Sequence, residues 1–225
     1  MRTLRWSVGR IFMALTALAF FPSLGAAQDC SYNHAFNPPL PVSSGGTSCV
    51  ASESLKSRGL VVIPEDSPLE VDGGVILRIR NFHESPGSLI IDPDASLVTG
   101  GSELEDPVVI EAAQDFISNG HLQLDAPEQI LRLRGATSLQ LLGNTEIIAD
   151  SIKLESSKGD IILDGVSISA EYVLDINAPK GHITIKNSIF RVTTRAGAGP
   201  CRIRAKYPIE GLNDLSNQFH CNTPK

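Results

Sequence analysis

The chain of 225 residues has few aromatic side chains and no long apolar segment beyond its N-terminus. Aromatic residues make up 5% of it, and its one tryptophan, Trp6, lies near the N-terminus, before the apolar run at 11–21. The rest of the chain therefore lacks the largest flat side chain with which a secreted protein can stack on a sugar. No later segment is long enough to cross a bilayer as a helix, so we do not expect a membrane-spanning protein.

An excess of basic residues is also missing. The chain has 19 Lys and Arg against 25 Asp and Glu, which gives a formal net charge of −6 at pH 7. Because affinity for phosphate backbones comes from neutralising them with Lys and Arg, we do not expect nucleic acid as a partner.

Motifs of several enzyme classes are absent as well. The sequence contains no Gly-x-Ser-x-Gly and no glycine-rich phosphate loop. Its five histidines show neither His-x-His nor His-x-x-x-His spacing, which are typical of metal sites. We therefore expect no cofactor and no metal ion.

The N-terminus has the pattern of an export signal. Three arginines precede an apolar run at 11–21, and the small residues at 25–27 form a cleavage site. We expect residues 1–27 to be removed and the protein to be secreted or periplasmic.

Four cysteines follow the signal, at Cys30, Cys49, Cys201 and Cys221. An even number in an oxidising compartment favours disulfides, of which three connectivities are possible. We prefer Cys30–Cys49 and Cys201–Cys221, because each closes a short local loop. A four-thiolate metal site is the alternative, but no Cys-x-x-Cys pair supports it.

The most informative feature of the chain is an internal repeat with a constant offset. Residues 158–165 match residues 180–187, and the same register extends back to 139–143. Short, β-branched runs with period two, separated by Gly, Asn, Asp and Pro, predict strands from about residue 60 to 192. A strand–turn–strand repeat of roughly 22 residues is typical of a solenoid.

Apolar residues recur in columns at this offset. The columns are Leu139, Ile161 and Ile183; Leu141, Leu163 and Ile185; Ile152 and Leu174; Leu154 and Ile176; and Ile168 and Phe190. Gly143, Gly165 and Asn187 end equivalent strands, and these residue types tolerate positive φ. The same sharp corner is therefore predicted three times.

Opposite charges also fall above one another between coils. Lys153 is predicted beside Asp175, and Asp164 beside Lys186, and each such pair contributes roughly 0.2–1 kcal/mol.

Two interpretations concern the N-terminal half. Residues 52–58 predict one or two helical turns, with Ser52 as the N-cap. Residues 69–81 resemble residues 131–143, which predicts the same columns about three coils apart.

The strand-to-turn unit Ile183-x-Ile185-x-Asn187 and its equivalents at Gly165 and Gly143 resemble the right-handed parallel β-helix of the pectate-lyase-like group. The resemblance implies an all-β, single-stranded right-handed parallel β-helix with short caps at both ends. The predicted divisions are a signal (1–27), an N-terminal cap (28–59), the β-helix (60–195) and a C-terminal cap (196–225). A sandwich of hairpins remains the alternative.

The resemblance also implies candidate catalytic groups, since enzymes of this shape cluster acidic and basic residues on one outward face. The best candidates here are Asp160 and Asp164, with His182 and Lys186 one coil on. Solvation of a turn and the Asp164–Lys186 charge pair explain them more simply. Asp92-Pro93-Asp94 is likewise a solvated turn rather than a calcium loop, because the further ligands of such a loop are missing.

Three Arg-x-Arg units are the candidate binding residues. They are Arg78 and Arg80, Arg132 and Arg134, and Arg202 and Arg204. Within each unit both side chains project from the same side of a strand. Aligned units would form a guanidinium stripe for carboxylate or phosphate groups, although their spacings are not multiples of the repeat. Pairing with the surplus of acidic residues is the alternative.

The sequence thus predicts a non-catalytic exported β-helix protein with a binding or structural role at the cell envelope or outside the cell. An anionic polysaccharide or an envelope protein is the expected partner. A small polysaccharide lyase or glycoside hydrolase of pectate-lyase-like shape is the alternative.

Overall fold

The structure, a computed structural model, describes Phe36 and residues 48–72, 74–99, 107–194 and 196–222. This part of the chain contains seventeen strands and no helix. In chain order they are β1 (Cys49–Ala51), β2 (Leu55–Arg58), β3 (Val61–Ile63), β4 (Leu69–Val71), β5 (Ile76–Arg80), β6 (Leu89–Ile91), β7 (Ser96–Thr99), β8 (Val108–Ala112), β9 (Asp115–Ser118), β10 (His121–Gly135), β11 (Ser138–Glu155), β12 (Asp160–Ala178), β13 (Ile183–Lys186), β14 (Ile189–Thr194), β15 (Gly197–Ala198), β16 (Cys201–Ala205) and β17 (Gln218–His220).

The strands wind into a parallel β-solenoid of about six turns, as the repeat predicts. Each coil passes through three faces in the same order. The first three coils contribute one short strand to each face, β1–β3, β4–β6 and β7–β9. Strands β10, β11 and β12 bend at the corners and continue from one face to the next.

The three faces are defined by their pairings. The first face contains β1, β4, β7, residues 121–126, 145–149 and 166–170, β14 and β17. The second contains β2, β5, β8, residues 130–135, 151–155 and 173–178, and β16. The third contains β3, β6, β9, residues 138–142 and 160–164, and β13. All these pairings are parallel, which rules out a sandwich of hairpins.

The predicted columns are present in the core. Leu139, Ile161 and Ile183 pair in consecutive coils on the third face, and all three are fully buried. Inward side chains alternate with outward ones along each strand, as the period of two requires. The other four predicted columns are confirmed by the same pairings.

The repeated corner is confirmed too. Gly143, Gly165 and Asn187 have φ values of 75°, 71° and 50°. This left-handed conformation turns the chain from the third face into the first, and glycine adopts it without a steric penalty.

The N-terminal half differs from two expectations. Residues 55–58 form strand β2, which pairs with β5, and not a helical turn. A residue within a stack gains a row of backbone hydrogen bonds, and this outweighs the weak local preference for a helix. The first coil therefore begins at Cys49, within the segment assigned to the N-terminal cap. Phe36 is buried against this coil and bridges Ser57 in antiparallel fashion.

The proposed equivalence of residues 69–81 and 131–143 is wrong. Leu69 lies on the first face, where it pairs with Leu97, whereas Leu131 lies on the second face beside Val108. The step from Leu69 to Leu97 is one coil, but it is longer in sequence than the step from Ile161 to Ile183. An offset of three repeats, measured on the later coils, therefore compares residues on two different faces of the solenoid.

The C-terminal end is closed by its last strands and a disulfide. Phe219 of β17 stacks on Phe190, with ring centroids 5.0 Å apart. The Cys201–Cys221 bond is confirmed and ties β16 to the end of β17. It also rules out the four-thiolate metal site, because two of the thiolates are consumed. Cys30 lies outside the described residues, so its bond to Cys49 stays a prediction.

Asn217 holds the C-terminal loop to the stack. Its buried side chain accepts a hydrogen bond from the backbone N–H of Ser188 and donates to the carbonyls of Ile185 and Gly211. We expect Asn217→Ala to lower the free energy of unfolding by about 2–3 kcal/mol, because it leaves buried backbone groups unpaired. Urea denaturation measures the change. Asn213→Ala, at an exposed position of the same loop, is the control, and an equal loss in both variants would contradict this role.

Candidate functional site

All three Arg-x-Arg units lie on the second face of the solenoid. They are carried by β5, by the end of β10 and by β16. The residue between the two arginines points inward in each strand, as Leu133 does, so both guanidinium groups start from the outer surface. Their uneven spacing in the sequence reflects the uneven coil lengths, and not different faces.

Two of the units are close neighbours. Arg78 pairs with Glu111 in the next coil, and Glu111 pairs with Arg134 in the coil after that. Neighbouring strands lie about 4.8 Å apart, so Arg78 and Arg134 start about 10 Å from each other along the axis. Arg132 lies two residues before Arg134 on the same strand. Arg80 lies two residues after Arg78, so four arginines start from strand positions beside or two residues from the register of Glu111.

These side chains line an open groove of about 440 Å³ on the second face. Its lining is Arg78, Ile79, Arg80, Glu111, Ala112, Ala113, Arg132, Arg134 and Ala136. The groove exists because β8, the strand between the two arginine units, ends in the small residue Ala112 and is followed by Ala113. Ala113 lies between Arg80 and Ala136, where a longer side chain would fill the space. We call this site the arginine groove.

Ion pairs hold part of the arginine groove in place. Arg78 Nε lies 3.2 Å from Glu111 Oε2, and Arg132 Nη1 lies 3.9 Å from Glu111 Oε1. Arg132 also donates to Glu155 at 2.9 Å, and Glu155 in turn contacts Lys153 at 3.2 Å. The expected pairing of arginines with acidic residues is therefore present for two of the four.

The other two arginines keep most of their capacity to donate. Arg134 donates to Ser157 Oγ at 3.2 Å, and Arg80 makes no side-chain hydrogen bond or ion pair within the described part of the chain. The buried Nε atoms of Arg132 and Arg134 have no partner among the described residues. Four guanidinium groups face one carboxylate in the lining, so the arginine groove is positive within an acidic protein.

Glu155 contributes a stability that depends on pH. Burial raises its pKa, but hydrogen bonds and charges from Arg132 and Lys153 outweigh burial and hold the pKa of Glu155 below its usual value. A lowered pKa in the folded state stabilises the fold above the unfolded-state value near 4.5. This contribution disappears as the pH falls through the folded-state pKa.

Glu155→Gln is therefore expected to be less stable than the wild type at pH 7 and to lose less stability between pH 7 and pH 3. Urea denaturation at the two pH values measures both differences. Glu84→Gln, at an exposed turn, is the control. Parallel stability curves for the wild type and Glu155→Gln across this range would show that the ion pairs of Glu155 contribute nothing.

The third unit is separate from the arginine groove. Arg202 pairs with Asp175, three coils from Arg132 along the axis. Arg204 donates two hydrogen bonds of 2.8 Å to the carboxylate of Asp175. Of the six predicted binding arginines, the structure brings four together and leaves this pair at the C-terminal end.

The candidate catalytic residues do not form one cluster. Asp160 and His182 lie at the start of the third face, where Asp160 Oδ1 accepts the backbone N–H of His182 at 2.7 Å. Asp164 and Lys186 pair in register at the end of the same strands, about 13 Å along the strand from Asp160. The carboxylates of glycoside hydrolases lie about 5–9.5 Å apart, so this separation does not suit the hydrolytic pair.

Their contacts have structural explanations. Asp164 Oδ1 accepts a hydrogen bond of 3.0 Å from Asn187 Nδ2 and forms no ion pair with Lys186 among the described residues. The ring of His182 stacks on Tyr207 at 4.3 Å. Lys153 and Asp175 are neighbours in register as predicted, but each pairs with a different residue, Glu155 and Arg204.

No group of three or more His, Cys, Asp or Glu side chains within the described ranges could hold a metal ion. Those ranges also include no helix that is long and apolar enough to cross a membrane.

Two residues of the site were missed by the sequence interpretation, Glu111 and Ala113. Both lie in the third coil, where the spacing departs from that of the later coils and no repeat identified their column. The sequence offers one signal for Glu111. Val108 and Ile110 are apolar at alternate positions, so Glu111 is expected to point outward, but this alternation does not predict which residues of other coils lie beside it.

No protein-family model, no curated protein and no solved structure matches this chain.

Proposed function

We propose that this protein is a non-catalytic, exported binding protein that holds an anionic polysaccharide in the arginine groove. The observation that carries the proposal is that Arg78, Arg80, Arg132 and Arg134 line one groove together with a single carboxylate, that of Glu111. Arginine presents a planar fork of donors that matches a carboxylate, and such charge-assisted bonds are the strong ones.

The spacing of the arginines favours a ligand with repeated charges. The two units lie about 10 Å apart along the axis, with an open space over Ala113 between them. A polymer that carries carboxylates at regular intervals contacts both units at once. Binding at two points raises the overall affinity without new kinds of contact.

Single-stranded nucleic acid fits the arginine groove less well. Proteins that bind it stack the bases on aromatic side chains, and none of the described residues that line this groove is aromatic. The chain as a whole is also acidic, with a pI near 5.4. A carboxylated sugar chain can be bound by the guanidinium hydrogen-bond donors alone and does not require aromatic side chains.

Export is part of the same proposal. The signal-like residues 1–27 favour it, and so does the Cys201–Cys221 disulfide, since disulfides persist mainly in oxidising compartments. A secreted or periplasmic protein meets polysaccharides of the envelope and of the surroundings.

Calorimetric titration of the mature protein with oligomers of a polyuronate, and with a neutral glucan of equal length, tests the proposal. We expect binding to the polyuronate alone, with an affinity that falls as the salt concentration rises. Equal affinity for both polymers, or for neither, would overturn it. Release of reducing or unsaturated ends from the polyuronate in the presence of calcium would favour the lyase or hydrolase instead.

A further inference from the structure

A row of small side chains continues from the arginine groove toward the C-terminal end, along the corner between the second and third faces. Continued past the last paired residues of the strands, the register places Ala136 beside Ala113, Ser157 beside Ala136 and Pro179 beside Ser157. The backbone hydrogen bonds from Ala136 to Ala112 and from Ser156 to Asn177 agree with this continuation. These residues occupy the same position in four consecutive coils. Because all four side chains are short, they leave a shallow depression along this corner.

Exposed lysines border this row. Lys158 and Lys180 each precede a glycine, and the two glycines lie directly above one another, since a Cβ on Gly181 would meet the carbonyl oxygen of Gly159 at 2.0 Å. The two lysines are therefore about 4.8 Å apart along the axis. Lys206 follows in the last coil, where its backbone N–H donates to Ala178.

The ammonium groups of Lys158 and Lys180 make no hydrogen bond or ion pair within the described residues, and both side chains are exposed. Two acidic groups lie near these lysines. Glu155 is held by Arg132 and Lys153, while Asp160 accepts the backbone N–H of His182 on the third face. The hydrogen bond from His182 leaves the negative charge of Asp160 in place, so the corner carries the positive charges of Lys158, Lys180 and Lys206 against this one carboxylate.

We propose that a linear polyanion enters the arginine groove at Arg80 and runs along the solenoid axis over this corner to Lys158, Lys180 and Lys206. This rests on the proposed function of the arginine groove and gives it a direction and a length. The path crosses five coil steps, or about 24 Å. The ligand is therefore an extended chain with repeated negative charges, and a single anionic group occupies only the groove.

Affinity should consequently depend on ligand length. Oligouronates that span about two coils, near 10 Å, reach only the arginine groove, whereas those of about 24 Å also reach the lysines. Each exposed charge contributes modestly, so the expected gain from two lysines is about fivefold.

The test compares Lys158→Gln/Lys180→Gln with Lys186→Gln/Arg191→Gln, which removes the same charge from the third and first faces. Titrations use the full mature chain, with short and long oligouronates. We expect Lys158→Gln/Lys180→Gln to bind long oligouronates about fivefold more weakly than the wild type and to bind short ones with unchanged affinity. Lys186→Gln/Arg191→Gln should lose less affinity for the long oligouronates.

Two other outcomes are decisive. If the corner variant binds long oligomers as the wild type does, while removal of Arg80 and Arg134 abolishes binding, the axial path is wrong and the arginine groove stands. If the wild type binds neither length, both proposals fail.

Discussion

Arg80→Ala/Arg134→Ala is expected to bind oligouronates about 100-fold more weakly than the wild type. These two arginines are the ones whose donors are least engaged inside the protein, so their loss removes contacts to the ligand and few contacts within the fold. Each charge-assisted hydrogen bond contributes about 1.5 kcal/mol or more, which is roughly tenfold in affinity. Calorimetric titration at low salt measures the change.

A matched control separates the site from the overall charge. Lys186→Ala/Arg191→Ala removes two positive charges from the third and first faces, where both side chains are exposed. It should retain affinity within a few-fold of the wild type. Comparable losses in the two double variants would mean that general charge, and not the arginine groove, attracts the polymer.

Phe116→Ala is expected to lower the free energy of unfolding by about 3–5 kcal/mol. Phe116 is fully buried in the third coil and pairs with Leu89 on one side and Leu139 on the other. Its truncation leaves a cavity in the middle of the stack, where the coils above and below cannot collapse into it. Urea denaturation followed by circular dichroism gives the change.

Ile117→Ala provides the control on the same strand. Ile117 points outward between Phe116 and Ser118, and it is only half-buried. Its replacement should lower stability by about 1 kcal/mol or less. A larger loss from Ile117 than from Phe116 would contradict the inward and outward alternation on which the whole stack rests.

The later coils could be predicted from the sequence because they keep nearly the same length. The step from Ile161 to its partner Ile183 equals the step from Ser167 to its partner Ile189, so one offset aligns strands and corners together. Gly165 and Asn187 then mark the same turn. The alternation within each strand, the corner residues and the repeat all place the same residues in the same register, so the fold of these coils could be predicted.

The earlier coils could not be predicted in the same way, because insertions at their corners change the spacing. Cys49 pairs with Leu69 and Leu69 with Leu97, yet the first of these steps is clearly shorter in sequence than the second. A fixed offset therefore compares different faces. The strand at Leu55–Arg58 is stabilised by pairing with β5, which is a contact between coils and has no local signature.

The candidate site was predictable in its residues but not in its arrangement. Alternation shows that Arg132 and Arg134 project together, and this follows from their spacing alone. That Arg78 stands two coils from Arg134, with Glu111 between them, depends on the lengths of two irregular coils. The groove also requires the small side chain of Ala113, whose importance appears only once its neighbours are known.

Nuclear magnetic resonance of protein with isotope-labelled arginine side chains, titrated with a long oligouronate, tests the central claim most directly. The side-chain signals of Arg80 and Arg134 should move most, and that of Arg191 on the first face should stay in place. Largest shifts at Arg191, or uniform small shifts at every arginine, would contradict a polyanion site in the groove of the second face.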